Sequence, residues 1–427
     1  FGCQGVWAND PRLEEILDLM QAAGIRVARF DLCWWNLCER EPGVYNFTAP
    51  DHPGYESWNT DRLIDMLRER DIESYAILCY GNAMYDDEVG PHSPEGRAAF
   101  AAYCRVAAER YRDTVTIWEI WNEPNLEVHW GRESDPEDYA LLAIEAADAI
   151  REANPDAIIV GLALSWLNIA EGMLERWYEY LEVCGEQGLF DHVDAVSVHP
   201  YRVGIMPESF NPELARIREI IARHTDRDVA VWTGEWGYNT IWTEVDEVEQ
   251  AKYLPRMFLN NMSQGVEMST WFSFHPFEGW GLMEEGTLEP RPAYQAMRVI
   301  NEVLRAPVQH VEDPFGIEVI PAPEDLRIEV FESGDTSPAL SRHVAAIWLE
   351  RTADSAFEGS PVTLRLSSPE WVASQNTDIV IIDGLSGEQM IPTRVRGEEA
   401  LSLEGRDGGE IRVSDSPIYT VITRHNR

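Results

Sequence analysis

Thr116-Ile117-Trp118-Glu119-Ile120-Trp121-Asn122-Glu123-Pro124-Asn125 is an apolar, β-branched run that stops abruptly at a proline. The run reads as a buried strand, and Pro124, which cannot donate to a ladder, ends it. Asn122 and Glu123 therefore sit where a strand gives way to a loop. Val229-Ala230-Val231-Trp232-Thr233-Gly234-Glu235-Trp236-Gly237 has the same grammar: a buried strand again delivers a glutamate at its C-terminal end.

Outward from these segments, strand-like and helix-like stretches alternate. The strand candidates are Gly2–Trp7, Arg26–Leu32, Ser74–Tyr80, Val115–Trp121, Ala157–Leu162, Ala195–His199, Val229–Gly234 and Glu267–Ser273. Between them lie amphipathic stretches: Pro11–Ala23, Arg62–Arg70, Gly96–Tyr111, Asp138–Ala153, Gly172–Cys184, Pro212–His224 and Glu247–Ser263. Several follow Asp, Ser or Pro start signals. Repeated β-then-α units predict an α/β fold, a (β/α)8 TIM barrel. A doubly wound sheet would want a Gly-rich phosphate loop after its first strand, and Gly2-Cys3-Gln4-Gly5-Val6 supplies none. After Arg305 the pattern changes to short alternating strands: Gly316–Ile320, Leu326–Phe331, Val344–Leu349, Val362–Leu366, Ile379–Ile382, Glu410–Val413 and Tyr419–Thr423. Asp383-Gly384 and Gly408-Gly409 are turn dipeptides. We read residues 1–305 as the barrel that carries the chemistry and 306–427 as a C-terminal all-β sandwich domain.

Composition bounds partners more than chemistry. Against 75 acidic residues stand 34 basic ones, a formal charge of −41, and Lys252 is the only lysine. Such a surface repels nucleic acid and anionic membranes. No apolar run is long enough to cross a bilayer. The charge has two readings: adaptation to high salt, or an arginine-favouring genome. Screening of self-repulsion makes the first testable. It predicts a melting temperature that climbs from low to molar salt, whereas a flat or falling one leaves the genomic reading. The six cysteines form no Cys-x-x-Cys pair and read as free and buried, although a Cys33–Cys38 bridge is conceivable. The chain starts at Phe1, so we expect a preceding segment removed or outside the numbering; secreted and cytoplasmic locations both stay open, as does the oligomeric state.

In a barrel, active sites lie at the C-terminal strand ends. Collecting polar and aromatic residues there gives Arg29, Asp31, Trp34 and Trp35 from strand two, Asn122 and Glu123 from strand four, and His199 and Tyr201 from strand six. Strand seven gives Glu235 and Trp236; strand eight gives Trp271, then Phe274, His275, Glu278 and Trp280. Two carboxylates facing one cleft are equipment for cleaving a glycosidic bond. Arg29, inside a β-branched strand, needs a carboxylate partner. With Tyr201 it can serve an ionised Glu235, leaving Glu123 to hold the proton with a raised pKa. Trp34, Trp35, Trp58, Trp130, Trp166 and Trp242 are candidates to cover sugar faces or to pack the core. No calcium-loop pattern or His-x-x-x-His suggests a metal, and this chemistry needs no cofactor.

Trp121-Asn122-Glu123-Pro124-Asn125 together with Thr233-Gly234-Glu235-Trp236 resembles clan A of the retaining glycoside hydrolases, and most of all glycoside hydrolase family 39, which includes β-xylosidases and exopolysaccharide hydrolases. The likeness extends to Trp35–Glu39 with Pro42, Gly43, Tyr45 and Phe47, to His199-Pro200-Tyr201, to Phe277-Glu278 with Gly281-Leu282-Met283, and to Arg291-Pro292-Ala293-Tyr294. It implies a retaining β-glycosidase acting on a carbohydrate substrate. Glu123 would be the general acid/base and Glu235 the nucleophile. Asn122 would bind the sugar 2-hydroxyl, Arg29 and Tyr201 would orient Glu235, and Trp271 would floor the sugar. Trp35, His199 and Glu278 join the substrate-binding set. Where some family members carry a sugar-contacting histidine, this chain has Asp31, so the family's sugar preference does not carry over. The rival from another class is a catalytically idle carbohydrate-binding barrel, whose signature would be loss of one carboxylate; both are present.

Overall fold

Eight parallel strands close on themselves in chain order: β1 Gly2–Gln4, β2 Val27–Cys33, β3 Glu73–Cys79, β4 Val115–Ile120, β5 Ile158–Ser165, β6 Ala195–His199, β7 Ala230–Trp236 and β8 Ser269–Trp271, with β8 paired to β1. The coordinates are a computed structural model that describes residues 1–48, 57–166, 172–275, 277–284, 286–334, 340–368, 377–396, 400–405 and 410–425. The intervening helices are α1 Leu13–Ala22, α2 Thr60–Glu69, α3 Pro94–Arg110, α4 Pro136–Ala153, α5 Met173–Glu186, α6 Asn211–His224, α7 Glu247–Ser263 and α8 Pro292–Val303. The fold is thus a TIM barrel followed by antiparallel sheets. The first strand stops short of Trp7 because Gly5 takes φ +99°, which turns the chain out of the ladder.

Local signals explain the helix starts. Asn59 accepts from the Arg62 amide and Ser93 from that of Gly96, each satisfying a free helical N–H. Asp246 and Glu249 form a reciprocal capping box at α7. Inside the barrel, Val27, Tyr75, Ile117, Val160, Ala195 and Trp232 pack together. Valine- and isoleucine-sized members contribute roughly 1.5–3 kcal/mol each by burial. Among the described residues, no helix is long and apolar enough to cross a membrane.

The chain groups into two compact units. One holds Phe1–Val203, Phe210–Gly237 and Val266–Phe277, hence all eight barrel strands; the other holds Gly204–Ser209, Tyr238–Gly265 and Glu278–Arg427. In the second, α7 and α8 pack with the C-terminal strands, which form two sheets around Ile347, Leu364, Ile381, Leu403 and Ile422. One sheet has the order 308–311, 326–333, 340–349, 418–425, 377–383, 389–390; the other joins 317–320, 360–366, 401–404 and 393–396, with 411–413 on the second of these. Buried ion pairs tie α7 to this unit. Lys252 donates to Asp415 Oδ1 at 2.8 Å and to the Phe357 carbonyl at 3.0 Å. Arg256 grips Glu208 at 2.7 and 2.9 Å, and Trp348 Nε1 donates to the same carboxylate. The Gly408-Gly409 turn lies outside the described residues. All six cysteines are free and buried, and Cys33 lies in register with Cys79 on β3 rather than bridging to Cys38.

Candidate active site

The site starts from a buried charge. Arg29, on β2, is fully buried. Burial opposes its charge, but Glu119 and Glu235 keep it a cation. Its Nε donates to Glu119 Oε2 at 2.6 Å, Nη1 to Glu235 Oε1 at 2.7 Å and also to Gln4, and Nη2 to Asn122 Oδ1 at 3.0 Å. Tyr75 donates to the other Glu119 oxygen at 2.9 Å. One guanidinium therefore joins strands β1, β2, β4 and β7 at the barrel centre.

Backbone irregularities aim the two glutamates. On β7 the pairing to β8 slips between Ser269 and Trp271, a bulge that alters which side chains turn inward. Gly234 makes the space: a Cβ there would lie 2.3 Å from Ser197 Oγ and 3.2 Å from both Glu119 Oε1 and His199 Nε2. Glu235 Oε2 accepts from Tyr201 at 2.8 Å. Burial, with Glu235 and Glu123 nearby, pushes the Tyr201 phenol well up, so it stays a donor. On the opposite side, Trp121 and Glu123 adopt φ +70° and +47°. Such left-handed backbone costs on the order of 1–3 kcal/mol per residue and recurs at functional sites. Here the Trp121 and Glu123 amide N–H groups donate hydrogen bonds to the Leu78 and Ala163 carbonyls and hold it in place.

Glu123 meets two imidazoles. His199 Nδ1 lies 3.0 Å from Oε1, and His129 Nε2 lies 3.0 Å from Oε2. Burial alone would raise its pKa, but these two partners outweigh burial and hold the carboxyl well below the usual carboxylate range. The sequence-based expectation of a raised Glu123 pKa is therefore reversed in the free protein: it foresaw a neighbouring carboxylate, not two donors. Glu123, His199 and Glu235 each place an atom within 4.8 Å of the others'.

Asp31 stands two residues above Arg29 on β2. Its Oδ1 is buried with no hydrogen-bond partner among the described residues. Burial raises its pKa to about 6, Arg29 and His129 opposing, Glu235 and Glu119 adding. Because the folded pKa exceeds the unfolded value of about 3.9, the stability this group lends is complete below the unfolded pKa and is lost as pH rises through about 6. We expect Asp31→Asn to be more stable than the parent by about 1–3 kcal/mol at pH 7.5 and nearly equal at pH 4. Denaturant melts at the two values check this; an asparagine variant less stable at pH 7.5 refutes it.

The structure brings Arg29, Asn122, Glu123, His199, Tyr201 and Glu235 into one cluster. Trp35 is partly exposed and stacks on Tyr80 at 5.3 Å. Trp271 ends β8 fully buried. Trp34, Trp58, Trp130 and Trp166 are core residues rather than sugar platforms: Trp34 Nε1 is bound to Glu39 and Trp166 Nε1 to Glu213. Trp242 is 61% exposed. Glu278 is exposed and groups with the second unit. Sequence reasoning missed Glu119, Gln4, Tyr75 and His129. Glu119 did carry a signal: a carboxylate inside an apolar strand needs a cation, and Arg29 was in the complementary position. His129, on a short helix at Glu127–Trp130, carried none.

Residues 1–273 match the family model described as Cellulase (glycosyl hydrolase family 5). Among curated proteins, the chain is 31% identical over 117 residues to β-glucosidase 40 of Arabidopsis thaliana, covering 27% of this chain and 22% of that one. It is 30% identical over 123 residues to the coniferin β-glucosidase of Pinus contorta, covering 28% and 23%. The chain thus spans under a quarter of the length of these relatives. Among solved structures, a family 39 glycoside hydrolase from Bacteroides cellulosilyticus WH2 superposes with a TM-score of 0.71 at 20% identity, covering 99% of this chain and 80% of that one. A monomeric β-xylosidase from Caulobacter crescentus CB15 gives 0.64 at 15%, covering 100% and 96%. The clan A likeness read from the strand-four and strand-seven motifs stands, and the architecture is shared with family 39 enzymes.

Proposed function

The chain belongs to the cellulase family, glycosyl hydrolase family 5, and from that premise we propose that it is a retaining β-glycoside hydrolase cleaving β-linked oligo- or polysaccharides. The observation that carries the reading is the approach of Glu123 and Glu235, whose nearest carboxylate oxygens lie within 4.8 Å. Retaining enzymes hold their carboxyl groups about 5–5.5 Å apart, and inverting ones about 6.5–9.5 Å, to admit a water. Glu235, ion-paired to Arg29 and bound by Tyr201, attacks the anomeric carbon and forms a glycosyl-enzyme. Glu123 protonates the departing oxygen, then takes a proton from the water that releases the sugar. Asn122, set by Arg29, binds the 2-hydroxyl, and the partly exposed Trp35 completes the sugar contacts. Within this proposal, residues 1–305 form the catalytic domain and 306–427 a sandwich domain.

A panel of aryl β- and α-glycosides and β-linked polysaccharides, with NMR of the first-formed anomer, tests it. Release of the β-anomer from a β-linked substrate is the expected result. Release of the α-anomer removes the retaining mechanism, and turnover of none of the panel removes the activity.

A further inference from the structure

We propose that His129 holds the proton that Glu123 delivers, so that the acid/base of this site is a Glu123–His129 pair rather than a lone carboxyl. This deepens the glycosidase reading and rests on it.

The argument is one of hydrogen-bond direction. Both oxygens of Glu123 face imidazole nitrogens at 3.0 Å. On the His199 side the direction is fixed. Arg29 Nη2 lies 3.4 Å from His199 Nε2, and a guanidinium only donates, so Nε2 accepts and Nδ1 carries the hydrogen. His199 therefore donates to Glu123 and has no proton to release without leaving its ring anionic. It is also fully buried. On the other side no such lock exists. The His129 side chain is 29% exposed, and its Nε2 can pass from donor to acceptor. Of the two rings on Glu123, only His129 can exchange a proton with it.

The charges around His129 agree. Burial works against its cation, but the bond to Glu123, with Glu235 from β7 and Asp31 from β2 behind it, raises its pKa above the ordinary value. His199 meets the other oxygen of Glu123. The resting site thus favours a Glu123 carboxylate beside a His129 imidazolium. On substrate binding the Nε2–H bond of His129 breaks and an Oε2–H bond of Glu123 forms. One positive and one negative group become two neutral ones, and the total charge of the pair is unchanged. The new acid gives its proton to the glycosidic oxygen as the C–O bond breaks. In the second half, Glu123 takes the proton of the attacking water and hands it back to His129. His129 acts through Glu123 and so is a positioning residue.

Two measurements test this, one of them independent of turnover. Histidine-ring NMR of the free protein, assigned with His129→Gln, should place the His129 midpoint above about 6.5 and see it fall back in Glu123→Gln. A midpoint at or below the ordinary value overturns the proposal. In pH profiles of kcat/KM on phenyl β-glycosides, whose leaving group needs a proton, His129→Gln and His129→Phe should move the basic limb acidward by about one unit. At pH 8 this is a loss of roughly tenfold. Dinitrophenyl glycosides, which need no acid, should keep their basic limb. A structural role alone would lower both substrates together and leave the limbs in place, and that outcome also overturns it. If the parent protein hydrolyses no β-glycoside at all, the glycosidase reading fails, and the NMR result still decides where the proton resides.

Discussion

Glu235→Ala should abolish turnover of every substrate, by roughly 10^5–10^6-fold, the scale on which a covalent hydrolase loses its nucleophile. Glu123→Ala should behave differently. Dinitrophenyl glycosides leave without a proton, so this variant should still form the glycosyl-enzyme with them and accumulate it. Deglycosylation then lacks its base, and azide, which needs none, should restore turnover and yield a β-glycosyl azide. A burst in pre-steady-state kinetics followed by azide acceleration is the signature. If azide rescues Glu235→Ala instead and never accelerates Glu123→Ala, the two roles are exchanged. If both variants keep parental rates, the cluster is not the active site.

Glu119→Ala should be nearly as costly for activity and far more costly for the fold. Glu119 is fully buried and shares the neutralisation of Arg29 with Glu235. Removing it leaves a fully buried guanidinium with one carboxylate, and breaking a buried ion pair in this way costs about 3–5 kcal/mol. Arg29 then pulls harder on Glu235, and the Tyr75 hydroxyl loses its acceptor. Glu119→Gln keeps an acceptor for one donor and should fall between. Denaturant melts and residual kcat/KM read both effects. An alanine variant within about 1 kcal/mol of the parent would mean that the centre of the barrel tolerates the lone cation.

Much of this was legible because a buried parallel strand is read as a continuous apolar run, and its end as the first polar residue after it. Asn122, Glu123, His199, Tyr201 and Glu235 are such ends, and Arg29 was conspicuous inside one. What could not be read were relations across strands. That Gly234 leaves room for Ser197, Glu119 and His199 is a fact of three neighbouring strands, not of the Thr-Gly-Glu-Trp motif. The proton balance of Glu123 depends on His129, which a short helix carries back to the carboxylate it follows by six positions in sequence. The grouping of α7 with the sandwich rests on Lys252 and Asp415, 163 residues apart. In the sandwich, the strand Thr393–Arg396 went unseen because Thr393, Arg394 and Val395 are all exposed and show no apolar alternation.

The lone lysine has a practical consequence. Its ammonium is sealed at 4% exposure behind Asp415 and two carbonyls, so every other cationic side chain offered to solvent is a guanidinium or an imidazole. Amine-directed crosslinkers, acylating dyes and aldehyde supports have no side-chain handle on the folded molecule. A protease that cuts only after lysine has a single bond to find, and reaches it when α7 comes away from its ion pair. Two fragments of defined size then report the opening of the second unit, a conformational clock that the composition of this chain supplies without any label.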